Sequence, residues 1–163
     1  MKSFFYLAAA LALGGCATNM QPASAPPVKM GLWEVTMDAR RLEPPMTKTF
    51  VGQFCLTPET WRGALDGTGK PAPGCDMQNF KEEASGWSFD MVCKKQPGRF
   101  GSNDSSHHMQ IVILSAEKVR RTTRTETFES SGPWILEALA DSIYKGADCK
   151  GLAPGEYKHL SRS

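Results

Sequence analysis

The chain has few histidines, no short-range cysteine pair and no strong charge of either sign. Its three histidines, 19 basic and 17 acidic side chains exclude several functions in turn. A phosphate backbone needs a concentrated basic surface, and charges this nearly balanced provide none, so nucleic acid is not an expected partner. The cysteines lack the Cys-x-x-Cys spacing of structural zinc sites, so no metal or other cofactor is expected. No Gly-x-Ser-x-Gly occurs, and the cysteines are better explained by lipid and disulfides than by nucleophilic catalysis. After the N-terminal leader, no apolar run approaches the roughly 20 residues that a spanning helix needs.

What is present begins with that leader. Met1-Lys2 gives a positive start, Phe4 to Leu13 an apolar stretch, and Gly14-Gly15 a small pair before Cys16. Charge, apolar core and small residues in that order describe a secretory signal, and Leu13-Gly14-Gly15-Cys16 resembles the bacterial lipobox, in which the cysteine is lipidated and the signal cut just before it. The expected organisation is a lipoprotein signal peptide over 1–15, a flexible Pro/Ala/Ser tether over 16–29, one β-rich domain over 30–150 and a polar tail over 151–163. The lipid on Cys16 is then the membrane anchor. Ala17, in place of aspartate, resembles the pattern sorted to the outer membrane, with the domain facing the periplasm.

An apolar fraction of 40% is enough for a core. Trp33, Val35 and Met37 alternate with Glu34, Thr36 and Asp38; Phe50, Phe54 and Leu56 alternate with polar neighbours in the next segment. Both patterns predict half-buried strands. Thr57-Pro58 predicts a short helix to about Leu65. Trp87, Phe89, Met91 and Cys93 share a face in the returning arm of a hairpin turning near Ala84-Ser85-Gly86. His108 to Ser115 predicts a central strand, and the Thr/Arg-rich Val119 to Glu129 an edge strand. Trp134, Ile135, Ala138, Leu139 and Ile143 recur at helical spacing and predict a second helix, capped at Gly146. The sum is a mainly β (α+β) fold: a curled, half-barrel-like antiparallel sheet of about six strands with two short helices. Setting Cys16 aside leaves four cysteines and three pairings. Folding the hairpin about residues 84–85 sets Cys75 opposite Cys93, within disulfide reach, which leaves Cys55 with Cys149.

Gly31-Leu32-Trp33-Glu34-Val35-Thr36 resembles the opening signature of the bacterial family called domain of unknown function 3617. Cys55-Leu56-Thr57-Pro58-Glu59, the paired Cys75 and Cys93, and Gly146-Ala147-Asp148-Cys149 also match it, over roughly Lys29 to Cys149. The resemblance implies an exported Gram-negative protein with no assigned activity. It also implies a shorter, more strand-like segment before Cys149 than the spacing predicts.

Two groups of residues are candidate sites. Trp33, Phe50, Phe54, Trp87 and Phe89, with Met91, would line an apolar ligand site if the sheet curls; otherwise they form core. Arg120, Arg121 and Arg124 concentrate charge for an anionic contact, with Arg120 and Arg124 on one strand face and Arg121 on the other. His107-His108 reads as a solvated turn, because neighbouring strand residues point to opposite faces and cannot chelate one ion. The expected function is a non-enzymatic envelope binding module for an apolar ligand or an envelope protein. The alternatives are a protein-binding inhibitor of a wall-degrading enzyme or, from a different class, a hydrolase whose carboxylates meet only in the fold.

Overall fold

The computed structural model describes residues 26–66, 74–95, 103–129 and 132–162. The leader, Cys16, most of the tether and the glycines at 67 and 69 lie outside them. Eight strands follow in chain order: β1 (Gly31–Arg41), β2 (Met46–Leu56), β3 (Cys75–Glu83), β4 (Gly86–Cys93), β5 (Asp104–Ser115), β6 (Lys118–Glu129), β7 (Gly132–Gly146) and β8 (Tyr157–Arg162), with one helix, α1 (Trp61–Asp66), between β2 and β3. They form one open sheet in the order β3-β4-β5-β6-β7-β1-β2-β8, and every neighbouring pair is antiparallel.

The sheet is curled, and α1 shows by how much. The helix touches β2 at one side and β5 and β6 at the other. In the strand order β2 and β5 stand four places apart, roughly 19 Å across a flat sheet at about 4.8 Å per strand. A six-residue helix, about 9 Å long, reaches both only if the sheet wraps around it. The enclosed face carries the core: Trp33 and Val35 from β1, Phe54 and Leu56 from β2, Trp87 and Phe89 from β4, Met109 and Ile111 from β5, Val119 from β6, Ala140 from β7 and Leu65 from α1. Thr57 starts the helix as expected, its carbonyl accepting from the Trp61 N–H at 3.0 Å and its hydroxyl lying 3.1 Å from that of Thr60. Trp61 then meets Trp87 edge-to-face at 5.8 Å, closing the helix onto the sheet.

Two disulfides tie the ends of the sheet. Cys75–Cys93 joins facing residues of the β3–β4 hairpin, and Cys55–Cys149 joins β2 to the segment after β7 across 94 residues. Both pairings are those expected from the hairpin geometry.

Three expectations are corrected. The segment expected as a second helix is β7, bonded along its length to β6 and β1, so the chain has one described helix and more strands than the six expected. Its helical spacing arises because Leu139 and Ile143 are apolar yet face outward, 41% and 48% exposed; the inward row is Leu136, Ala138, Ala140, Ser142 and Tyr144. Ala, Leu and Glu favour helix by only tenths of a kcal/mol per residue, and two complete ladders outweigh that. β6, expected at an edge, lies between β5 and β7, because its threonines suit a buried strand and its arginines find partners on the outer face. The polar tail contributes β8, paired with β2 from Phe54 to Phe50; Gly155 N–H also donates to the Cys55 carbonyl at 2.9 Å.

Candidate functional site

The strand registers sort the enclosed face into transverse rows. One row, read across the sheet, is Trp87, Ile111, Arg121, Ala140, Met37 and Phe50. On the α1 side of it lie Val119, Ser142 and Val35, then Tyr144, Trp33 and Phe54. There α1 fills the space, and Trp33, Leu56 and Val119 are at most 1% exposed. On the other side lie Phe89, Met109, Thr123, Ala138 and Ala39, then Met91, His107, Thr125 and Leu136. On β6 and β7 the residues Thr123, Thr125 and Ala138 are short, and Thr123, Ala138, His107, Leu136 and Met91 keep partial solvent contact. One half of the concave face is therefore a packed core. The other half has shorter side chains on β6 and β7, with Phe89, Met109, Ala39 and Thr125 buried there too, and the register sets Lys48 beside Ala39 and Arg41 beside Leu136.

The arginine cluster divides as strand alternation requires. Arg120 lies outside, held to Asp141 by two hydrogen bonds of 2.7 and 2.8 Å, and Arg124 lies outside against Glu137 at 2.7 Å. Bonding raises the Arg120 guanidinium pKa and lowers that of the Asp141 carboxyl. Both arginines are thus already occupied. Arg121 faces inward and is largely buried; loss of hydration lowers its pKa from the usual arginine value. Its guanidinium lies 3.5 Å from the Leu65 carbonyl and 4.0 Å from Met37 Sδ, and it forms no ion pair with a described carboxylate. Asp66, at the end of α1, and Tyr157 act on it electrostatically.

Of the aromatic candidates, Trp33, Phe54, Trp87 and Phe89 are at most 5% exposed, Phe89 on the far side of the Arg121 row from α1, while Phe50 is half-buried on β2 in the Arg121 row. The Trp87 indole N–H, though buried, has no hydrogen-bond partner among the described residues. His107 and His108 lie in β5, not in a solvated turn. His107 faces inward, with Nε2 3.0 Å from the Ser105 hydroxyl and Nδ1 2.9 Å from that of Thr125, and burial lowers its pKa. His108 faces outward onto Asp90 at 2.7 Å. Among the described residues no three histidine, cysteine, aspartate or glutamate side chains converge as metal ligands.

The inward residues that sequence reasoning missed are Thr123, Thr125, Ala138 and Met109 as a lining set. Their β-strand periodicity was available in β4, β5 and β6; that of β7 was obscured by its outward leucine and isoleucine.

A family model described as "Protein of unknown function (DUF3617)" matches residues 20–149. No curated protein matches the chain. Among solved structures the chain is similar to the S-type phycobiliprotein lyase CPES from Guillardia theta, at TM-score 0.42 and 9% identity, over 74% of this chain and 90% of that one. A likeness of that size says nothing about activity.

Proposed function

The chain belongs to the family described as protein of unknown function DUF3617, and from that premise we propose a non-enzymatic binding module that holds an apolar ligand on the open half of its concave sheet. The observation that carries this reading is the contrast within one face. Alternation continues along β5, β6 and β7, yet beyond the Arg121 row the inward residues of β6 and β7 include the short Thr123, Thr125 and Ala138, beside the buried Phe89 and Met109. Small residues stand there in place of the large ones of the α1 half, and the methionines beside them adapt readily to flexible apolar surfaces. The lipobox-like Leu13 to Cys16 supports a cell-envelope location, with the domain tethered by lipid on Cys16 through residues 16–29 and facing the periplasm from the outer membrane.

The test is a native mass spectrum of the full-length protein released gently from its own membrane. The expected result is a diacylglyceryl mass on Cys16 and a further non-covalent mass that is lost on denaturation. A species carrying neither removes both halves of the reading; a lipidated species that stays ligand-free, even when offered long-chain apolar compounds, removes the binding role alone.

A further inference from the structure

The row that divides the two halves of the concave face contains one hydrogen-bonding group engaged only at long range and one donor with no partner among the described residues. Arg121 presents five N–H donors in a planar fork, and its described contacts engage them only at 3.5 Å to a carbonyl and 4.0 Å to a sulfur. Both lie at or beyond the outer limit of a useful hydrogen bond. Trp87, two strands away in the same row, holds a buried indole N–H with no partner among the described residues. Buried donors left unmade cost free energy, and a buried cation costs more unless an anion meets it. The outward neighbours show what a satisfied arginine looks like in this strand: Arg120 and Arg124 each bond a carboxylate of β7 at 2.7 Å. On the inward side β7 places Ala140 and Ala138 beside Arg121 and Thr123, so no carboxylate comes from that strand.

We propose that Arg121 is the recognition group for an anionic head, a carboxylate or phosphate, on a single-chain amphiphile whose apolar chain lies along Met37, Phe50, Met109 and Met91. This inference rests on the binding role proposed above and specifies the ligand's chemistry. The guanidinium fork matches an oxyanion in a bidentate pair, and the surrounding methionines and phenylalanine match a methylene chain. Asp66 acts on Arg121 electrostatically, so an anionic head competes with one carboxylate for the guanidinium and must win through bidentate geometry.

The experiment offers the full-length protein dodecanoate, dodecyl phosphate and dodecan-1-ol at equal concentration and reads bound fractions by native mass spectrometry. At least one of the two anions is expected to bind about tenfold or more tighter than the alcohol, the range of a charge-assisted hydrogen bond, and the better anion names the head. Arg121→Gln is expected to abolish that preference while leaving alcohol binding in place. Arg120→Gln, on the outer face, is expected to leave both unchanged. Arg121→Lys keeps the interior charge and guards against a folding defect in the glutamine variant; it is expected to retain a weaker anion preference. Equal binding of anion and alcohol by the unaltered protein, or wild-type anion binding by Arg121→Gln, overturns the proposal but leaves the apolar binding role standing. No binding of any of the three compounds overturns both.

Discussion

The two halves of the concave face are built from the same strands and differ in what fills them. Beneath α1 the inward residues are Trp33, Phe54, Leu56 and Val119, and the helix adds Leu65 and Trp61. Beyond the Arg121 row Phe89 and Met109 are buried as well, but their neighbours are Thr123, Thr125, Ala138, Ala39, His107, Leu136 and Met91. Alternation alone positions a side chain on the inner face; its size decides whether the face becomes core or lining. The first half holds the fold together, because large apolar groups contribute roughly 1.5–3 kcal/mol each on full burial. The second is stabilised far less by its own side chains and is the half that can receive something else.

The sharpest way to break this comparison is to truncate each half. Trp33→Ala, at 0% exposure, is expected to cost about 3–5 kcal/mol, whereas Thr123→Ala in the open half should cost under about 1 kcal/mol. Equilibrium unfolding in urea reads both, and similar losses at the two positions would mean the halves are equally packed. Replacing Cys55 and Cys149 together by serine should cost about 2–5 kcal/mol. The same change at Cys75 and Cys93, which closes a loop of 18 rather than 94 residues, should cost less, and differential melting orders the two.

Glycines sharpen the comparison at the sheet's two sides. A Cβ at Gly86 would lie 1.9 Å from the Ile111 carbonyl oxygen, which is backbone, whereas one at Gly52 would lie 2.2 Å from the Tyr157 hydroxyl. Gly86→Ala should therefore disturb the β4–β5 ladder and the melting temperature. Gly52→Ala should mainly displace the Tyr157 ring and speed amide exchange in β8, with little change in global stability.

The smallest expected effect is a pH dependence. Burial lowers the His107 pKa in the folded state, so below about pH 6.5, the unfolded value, the unfolded chain binds a proton that the folded one does not. Stability is therefore fully present above that pH and declines as pH falls toward the lowered folded value. His107→Gln should flatten the decline in the window just below about pH 6.5. An unchanged slope in that window would assign it to another group.

Much of this was legible in advance. The half-buried strands at Trp33 and Trp87, the helix start at Thr57, both disulfides and the opposite faces of Arg121 and Arg120 follow from period-two alternation, capping chemistry and hairpin geometry, all of which act over a few residues. β7 was not legible, since Leu139 and Ile143 mimic a helical stripe and only the ladders to β6 and β1 reveal the strand. The position of β6 was hidden for a similar reason: its arginines look like an edge until Asp141 and Glu137 lie beside them.

The site follows the same division. The sequence by itself determined which residues alternate, which cysteines can meet and that one arginine of three faces away from the others, because those are properties of local backbone geometry. Only the tertiary structure decided that this arginine faces the inside of a curled sheet, between a half filled by α1 and a half with shorter side chains on β6 and β7. Curl and strand order depend on hydrogen bonds between residues up to about a hundred positions apart, such as those joining β1 to β7, and no local pattern specifies them.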